Sequence, residues 1–297
     1  MKKFILVILF TLFYSNISIS KEKIELIMPY AAGGSSDLLA RRISNLLSDN
    51  NSKFSVEVIN KVGANGKLAY HYFIGQKRTM LVDVINVISQ QNTEDYPKDL
   101  LSHIKALYFS ADPPRLLYTS LPVKDIHQLR TLSETTEILF GAGNPGSSSH
   151  DVYDWLCNKA NVLKKCNVVF YRGTGHAMPD VLSGRIHVYT ASYNTVVHSG
   201  FTSGGKAKEV LALSNTTLES LPELPTLASL KDIKNTYDMV DWHGLFHHDL
   251  QDTEVQEIKN RLSKLPEEEW FKKEGYSRLD QITPENFLKS QIQKLKK

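Results

Sequence analysis

Apolar and polar positions along the chain follow two patterns, short apolar runs typical of buried strands and helical spacings typical of amphipathic helices. Leu26 to Met28 form the first apolar run, Pro29 ends it, and apolar residues then recur at helical spacing from Leu38 to Leu47. Further strands are predicted at 54–59, 79–88, 116–119, 168–171 and 185–192. Alternating strands and helices predict an α/β protein, whose sheets contain parallel strands joined by helical crossovers.

A glycine turn joins the first predicted strand to the first predicted helix. Gly33 and Gly34 let backbone amides approach a ligand closely, and Ser35 or Ser36 is expected to cap the helix. The first N–H groups of a helix and its dipole attract a carboxylate. Asp37 stabilises the first turn, and it can also bind the cationic group of an amino acid or fix a water. The segment predicts an anion site, with a plain strand–turn–helix as the alternative.

A second glycine–serine loop repeats this arrangement halfway along the chain. It runs from Phe140 to His150 and leads into a helix through Val152, Trp155 and Leu156. Two helix N-termini are therefore expected to face one cleft.

The first 20 residues are predicted to be a cleaved secretory signal. Lys2 and Lys3 precede an apolar run from 4 to 14, and the small residues Ser18 and Ser20 precede Lys21. The run is short for a membrane span, and Lys21 is not the cysteine of a lipoprotein anchor. We expect a soluble protein exported to the periplasm.

Length and charge narrow the class of protein further. About 277 residues remain after residue 20, enough for two α/β lobes with a cleft between them. The formal charge of +3 falls to +1 without Lys2 and Lys3. Because there is no basic tract beyond a short lysine-rich end, nucleic acid is not an expected partner.

Two cysteines, Cys157 and Cys166, lie nine positions apart. In an oxidising compartment a local disulfide between them is expected, and two separate thiols are the alternative, since loop geometry decides whether the bond closes.

Seven separated motifs occur in a fixed order along the chain. They are Pro29 to Asp37 with Ala40 and Arg41; Ile59, Asn60, Gly63, Ala64 and Gly66; Gly143 to His150; Phe170 to Gly173; Leu182, Gly184 and Ile186; Leu221 to Thr226; and Trp242 to Leu245. This series resembles the Bug family, the extracytoplasmic solute receptors of tripartite tricarboxylate transporters, over nearly the whole mature chain. The segment from Gly75 to Leu81 departs from the family pattern, so the ligand's identity does not carry over.

The resemblance implies a type II periplasmic binding protein fold, with two α/β lobes joined by crossover strands around a small carboxylated ligand. Lobe 1 is predicted at 21–119 plus 243–297, and lobe 2 at 120–242. A monomer with no cofactor and no bound metal is expected, with the membrane permease subunits of a tripartite transporter as partners. The ligand contacts carried over are Tyr30, Ala32, Gly33, Gly34, Ser35, Ser36 and Asp37 in lobe 1, and Gly146, Ser147, Ser148, Ala191 and Ser192 in lobe 2.

Two other functions fit parts of the sequence. A periplasmic sensor that presents the closed form to a signalling receptor needs the same cleft, so the sequence does not separate it from a transport protein. Ser149, His150 and Asp180 are the residue types of the catalytic triad of a serine hydrolase. However, the side chains of an adjacent serine and histidine diverge on a helix, so these residues are not expected to form a triad. His243, His247 and His248 are treated as surface residues rather than metal ligands, in a strand followed by a turn. The expectation is a binding protein and not an enzyme.

Overall fold

A computed structural model describes residues 21–84, 86–89, 94, 96–193, 204–218, 220–233, 242–273, 276–279 and 283–294. The predicted signal at 1–20 lies outside these residues. Within them, no helix combines the length and the apolar character that crossing a membrane requires.

The first sheet has the strand order β11-β4-β10-β3-β1-β2. Strand β1 pairs in parallel with β2 and β3, and β10 lies antiparallel between β3 and β4. The strands are β1 (Glu22–Met28), β2 (Phe54–Asn60), β3 (Thr79–Asp83), β4 (Lys105–Ala111), β10 (Trp242–His247) and β11 (Ser277–Arg278).

The second sheet has the order β7-β6-β8-β5-β9. Strand β6 is parallel to β7 and β8, whereas β5 is antiparallel to β8 and β9. The strands are β5 (Arg115–Thr119), β6 (Ile138–Ala142), β7 (Cys166–Phe170), β8 (Val188–Ser192) and β9 (Lys208–Ala212).

Helices cover the faces of both sheets. They are α1 (Ser35–Leu47), α2 (Lys67–Gly75), α3 (Asn86–Ser89), α4 (Leu100–His103), α5 (Ile126–Ser133), α6 (Ser148–Tyr153), α7 (Thr174–Leu182), α8 (Asp252–Leu262), α9 (Glu269–Lys273) and α10 (Pro284–Lys294). A π-helical segment (Asp154–Lys159) continues α6, and 3₁₀ turns lie at Ala64–Gly66, Leu227–Ser229 and Leu265–Glu267.

Each sheet is buried on both faces, which explains the continuous apolar runs in the sequence. In β1, Leu26 and Met28 pack with Leu39 of α1 on one face, while Ile27 packs with Phe73 of α2 on the other. The second sheet likewise separates two apolar clusters. The predicted α/β fold with two lobes is confirmed.

The boundary between the lobes differs from the predicted one. The prediction assigned residues up to 119 to lobe 1, but β5 belongs to the second sheet. Trp242, predicted in lobe 2, starts β10 of the first sheet. The short apolar segment at 116–119 pairs with β8 and β9, and sequence alone does not show which sheet such a strand joins.

One predicted strand was too long. The run at 79–88 was predicted as a single strand, but β3 ends at Asp83 and a helical turn begins at Asn86. Val87 and Ile88 are fully buried in this turn, and short apolar runs do not distinguish a strand from a buried helix.

A disulfide joins Cys157 in the π-helical segment to Cys166 at the start of β7. Their Cα atoms are 6.1 Å apart, within the usual range for a disulfide. The bond fastens the helix that follows the second glycine–serine loop to an edge strand of the sheet.

Three residues, 112–114, form the first crossover between the sheets. Strand β4 ends at Ala111, at the edge where the parallel strands β1 and β3 have their carboxyl ends. Strand β5 starts at Arg115, opposite Ser192 at the carboxyl end of β8. Because four residue steps span at most about 14 Å, the carboxyl edges of both sheets meet at this crossover.

Candidate functional site

The first glycine loop connects β1 to α1 at the carboxyl edge of the first sheet. Gly33 has a φ of +86°, which L side chains rarely adopt. The N-cap of α1 is Gly34, so Ser35 and Ser36 lie in the first helical turn and the predicted serine cap is wrong. Gly34 has no side chain with which to cap this turn, and the first N–H groups of the helix lie at the sheet edge.

Asp37 is buried beneath this loop rather than exposed to a ligand. Its carboxylate accepts from Gly33 N at 2.9 Å, Asn60 Nδ2 at 2.9 Å and Arg41 Nε at 2.9 Å. Burial raises the pKa of Asp37, but the hydrogen bonds from Arg41, Gly33 and Asn60 outweigh burial and hold this pKa below its usual value. The side chain therefore fixes the loop, and the amide of Gly33 is already used inside the protein.

Ser36 contacts a buried histidine. Ser36 Oγ lies 2.6 Å from His243 Nε2, and His243 Nδ1 lies 2.5 Å from Asp112 Oδ1. His243 lies in strand β10 as predicted, but it and His247 are each 3% exposed, so neither is the surface residue that the sequence predicts. Sequence reasoning missed Asp112, since it lies in the crossover 76 positions after Ser36. A proline-flanked acidic residue at a strand end was the available signal.

Asp83 at the end of β3 is fully buried near this group. It accepts hydrogen bonds from Tyr30 Oη and Tyr70 Oη, each at 2.6 Å. Burial raises the pKa of Asp83 to about 6, although the tyrosine hydrogen bonds oppose the rise. The hydroxyl of Tyr30, a predicted ligand contact, is therefore directed at Asp83, and the backbone carbonyl of Tyr30 accepts from Asn60 Nδ2 at 2.9 Å.

The second glycine loop has a proper serine cap. Ser147 is the N-cap of α6 and accepts from the backbone N–H of His150 at 3.3 Å. Ser149 Oγ accepts from Gly143 N at 2.7 Å. A Cβ on Gly143 would lie 2.7 Å from Ser147 Oγ, so the close approach requires glycine at that position.

The remaining predicted contacts lie at the same edge of the second sheet. Gly146 has a φ of +80°, and Ser148 is 7% exposed. Strands β6 and β8 are parallel, so Ala191 and Ser192 end β8 beside the loop that follows β6. Ala191 packs in the apolar core and offers only its backbone to the edge. Ala32, in contrast, is exposed on the first loop.

The structure does not bring together the residues of the possible catalytic triad. Ser149 bonds Gly143, His150 Nδ1 accepts from Gly146 N at 3.3 Å, and Asp180 pairs with Tyr171 and Arg185. These three side chains form no triad. Across the described ranges, no group of three or more His, Cys, Asp or Glu residues is placed to hold a metal.

Several solved structures share this fold. A protein from R. palustris with adipate matches with a TM-score of 0.80 and 18% identity, covering 92% of this chain and 95% of that one. BugD, a periplasmic binding protein, matches at 0.75 and 19% over 92% and 95%. MatC from Rhodopseudomonas palustris with bound malate matches at 0.74 and 18% over 92% and 97%. The chain has the two-lobed fold of periplasmic solute-binding proteins.

Two curated proteins are also similar to this chain in sequence. A UPF0065 protein of the TAR-I ttuE-ttuC' intergenic region from Agrobacterium vitis is 27% identical over 254 residues, 75% of this chain. BugT from Bordetella pertussis is 23% identical over 217 residues, 70% of this chain. The match spans 65% of the length of either relative. No family model matches the chain. These relatives, together with BugD, confirm the resemblance to the Bug family.

Proposed function

We propose that this protein is a periplasmic receptor that captures a small carboxylate between its two lobes and delivers it to the membrane subunits of a tripartite-type transporter. The observation that supports the proposal is that the two glycine loops lie at the two sheet edges that one short crossover joins. Each loop follows the carboxyl end of a strand, each leads into a helix N-terminus, and a three-residue crossover joins the two sheet edges.

Backbone donors suit a carboxylate in such a cleft. The first turn of α1 offers N–H groups from 34–36. In the loop before α6, Gly146 N already donates to His150 Nδ1 and Ser147 N to Asn144 O, so Ser148 N at the start of α6 is the donor proposed there. Amides fixed at helix ends bind an anion without a buried lysine, which would need a partner of its own when the cleft is empty. The loop residues Gly33 and Gly146 hold the positive φ angles that this approach of the backbone requires.

Exposed apolar side chains lie on the same edges. Val62 is 47% exposed after the end of β2, and Leu68 is 56% exposed at the start of α2. Phe170, at the end of β7, is 45% exposed and contacts the ring of His150, with 5.3 Å between ring centroids. Closure of the lobes would bury such side chains, strengthen each amide contact by excluding water, and give a permease a closed form to distinguish from the open one.

A thermal-shift screen of small carboxylates tests the proposal. A ligand at about 100 times its Kd adds roughly 2.7 kcal/mol to the free energy of unfolding and raises the Tm. Adipate and malate come first, because similar structures were solved with them. The matched control for adipate is 1,6-hexanediol, which has the same chain length and no carboxylate.

Calorimetry of the best ligand then tests the site. Ser36→Ala and Ser147→Ala should each weaken binding while leaving the fold intact, since each serine belongs to a different loop. Equal affinity in both variants and the parent would exclude both serine hydroxyls as ligand contacts, and turnover of any ligand would instead favour an enzyme.

A further inference from the structure

A buried row of polar side chains lies directly behind Ser36. Asp112 contacts His243, and His243 contacts Ser36, with the distances of 2.5 and 2.6 Å given above. The side chains of His243 and Asp112 are 3% and 7% exposed, whereas Ser36 is only half-buried. Ser36 is therefore the outer end of a row whose inner members are shielded from water.

The chemistry of the row fixes where its protons lie. When Asp112 is ionised, its carboxylate only accepts hydrogen bonds, so His243 Nδ1 then carries the hydrogen that faces Asp112. In the neutral imidazole, Nε2 then accepts the Ser36 hydroxyl hydrogen, and Ser36 offers only lone pairs outward. In the imidazolium, Nε2 donates to Ser36 Oγ, and the serine hydroxyl is free to donate to a ligand. The proton on Nε2 thus decides which kind of ligand group Ser36 accommodates.

The charges around His243 favour the second state when an anion binds. Asp112 follows strand β4 and contacts His243, and Ser36 of α1 contacts its other ring nitrogen. Asp83, at the end of β3, is close enough that a positive charge on His243 lowers the pKa of Asp83. Asp37 in α1 is already paired with Arg41. A carboxylate at Ser36 would thus lie near two other carboxyl groups, and a positive charge on His243 offsets part of the repulsion.

We propose that a carboxylate seated against Ser36 binds together with a proton taken up at His243, so that the Asp112–His243 pair sets the ligand class at this position. A ligand that instead presents a hydroxyl or ammonium hydrogen to Ser36 binds without the proton. The inference rests on the proposed function, because it assigns a role to His243 within the same cleft.

Calorimetry at about pH 7.5 in two buffers of different ionisation enthalpy measures this proton. The probes are adipate, malate and, at high concentration, acetate as the smallest carboxylate. For the parent protein we expect uptake of about 0.5 to 1 proton per bound carboxylate, with a Kd that rises about three- to tenfold between pH 7 and pH 8. These carboxylates are already ionised at both pH values, so the proton belongs to the protein.

His243→Gln keeps a polar group against Ser36 but cannot take up a proton in this range. We expect the proton uptake and the pH dependence of Kd to disappear in this variant. His247→Gln is the matched control, since His247 is equally buried at the other end of β10 and burial lowers its pKa to about 4. It should keep the uptake of the parent.

The outcomes separate this inference from the proposed function. Carboxylate binding with no proton uptake, or uptake that persists in His243→Gln, would overturn the inference and leave the receptor standing. Uptake lost in Asp83→Asn but kept in His243→Gln would assign the proton to Asp83 and also overturn it. If none of the three carboxylates bound the parent protein, both would fail.

Discussion

Replacing Asp37 by asparagine removes the anchor of the first glycine loop. One oxygen of Asp37 accepts from Gly33 N and Arg41 Nε, and the other accepts from Arg41 and Asn60 Nδ2. An asparagine keeps one acceptor and turns the other into an NH₂ group. Whichever way the amide is oriented, its NH₂ group faces two of the N–H groups that now donate to Asp37, and the Asp37 side chain is only 2% exposed to water.

The loss of stability in Asp37→Asn can be worked out from these contacts. A hydrogen bond to a charged group contributes about 1.5–3 kcal/mol, and removing one partner of a buried ion pair costs about 3–5 kcal/mol. Because the Arg41 side chain is 50% exposed, water screens part of the ion pair. We therefore expect Asp37→Asn to lower the free energy of unfolding by about 2–4 kcal/mol.

The pH dependence of this loss has a definite sign. The folded-state pKa of Asp37 is lowered, so its ionised form contributes stability above the unfolded carboxyl pKa of about 4. That contribution disappears as the pH falls through the lower folded value. The stability difference between the parent and Asp37→Asn should thus be full at pH 6 and shrink as the pH falls below about 4.

Urea unfolding followed by circular dichroism measures both effects. Asp252→Asn is the control, because Asp252 also lies in the first turn of a helix but is exposed. This control should stay within about 0.5 kcal/mol of the parent. A similarly small effect of Asp37→Asn at pH 6 would refute the assignment of Asp37 as the anchor of the loop.

Three further changes test other parts of the structure. Replacing Cys157 and Cys166 together by alanine should lower the free energy of unfolding in urea by about 2–3 kcal/mol, the value expected for a disulfide that closes so short a loop. An unchanged free energy of unfolding would mean that the disulfide does not stabilise the protein. Gly66→Ala should cost about 1–3 kcal/mol, because the glycine has a φ of +90° and a Cβ would lie 2.8 Å from Tyr70 Oη; a neutral result would contradict that packing. Burial raises the pKa of Asp83 to about 6, so the stability of the protonated form is lost as the pH rises from about 4 through 6, by up to about 2–3 kcal/mol. Asp83→Asn should abolish this loss, and a parent protein with flat stability over that range would exclude it.

Much of the fold could be predicted from the sequence because its signals are local. The apolar run at Leu26 to Met28, the stop at Pro29 and the helical spacing up to Leu47 predict β1 and α1 well. The sheet to which β5 belongs could not be predicted, since it depends on long-range pairing with β8 and β9. The end of β3 was missed for a related reason, because Ile88 is as buried in a helical turn as it would be in a strand.

The positions of the two glycine loops could be predicted from the sequence, but the contacts of the side chains around them could not. Glycines and serines mark where a strand turns into a helix, so both loops could be located from the sequence. The roles of Asp37 and His243 depend on partners distant in the chain, such as Asn60 and Asp112. Local patterns carry no information about such contacts, which form when strand ends meet at one sheet edge.

The central claim is that the two glycine loops together hold one carboxylate. A crystal structure of the protein with its best-binding carboxylate measures this most directly. We expect one carboxylate group within hydrogen-bond distance of backbone amides from 34–36, with the ligand also contacting 146–148. A ligand bound on a single lobe, or one whose carboxylates contact neither loop, would contradict the account.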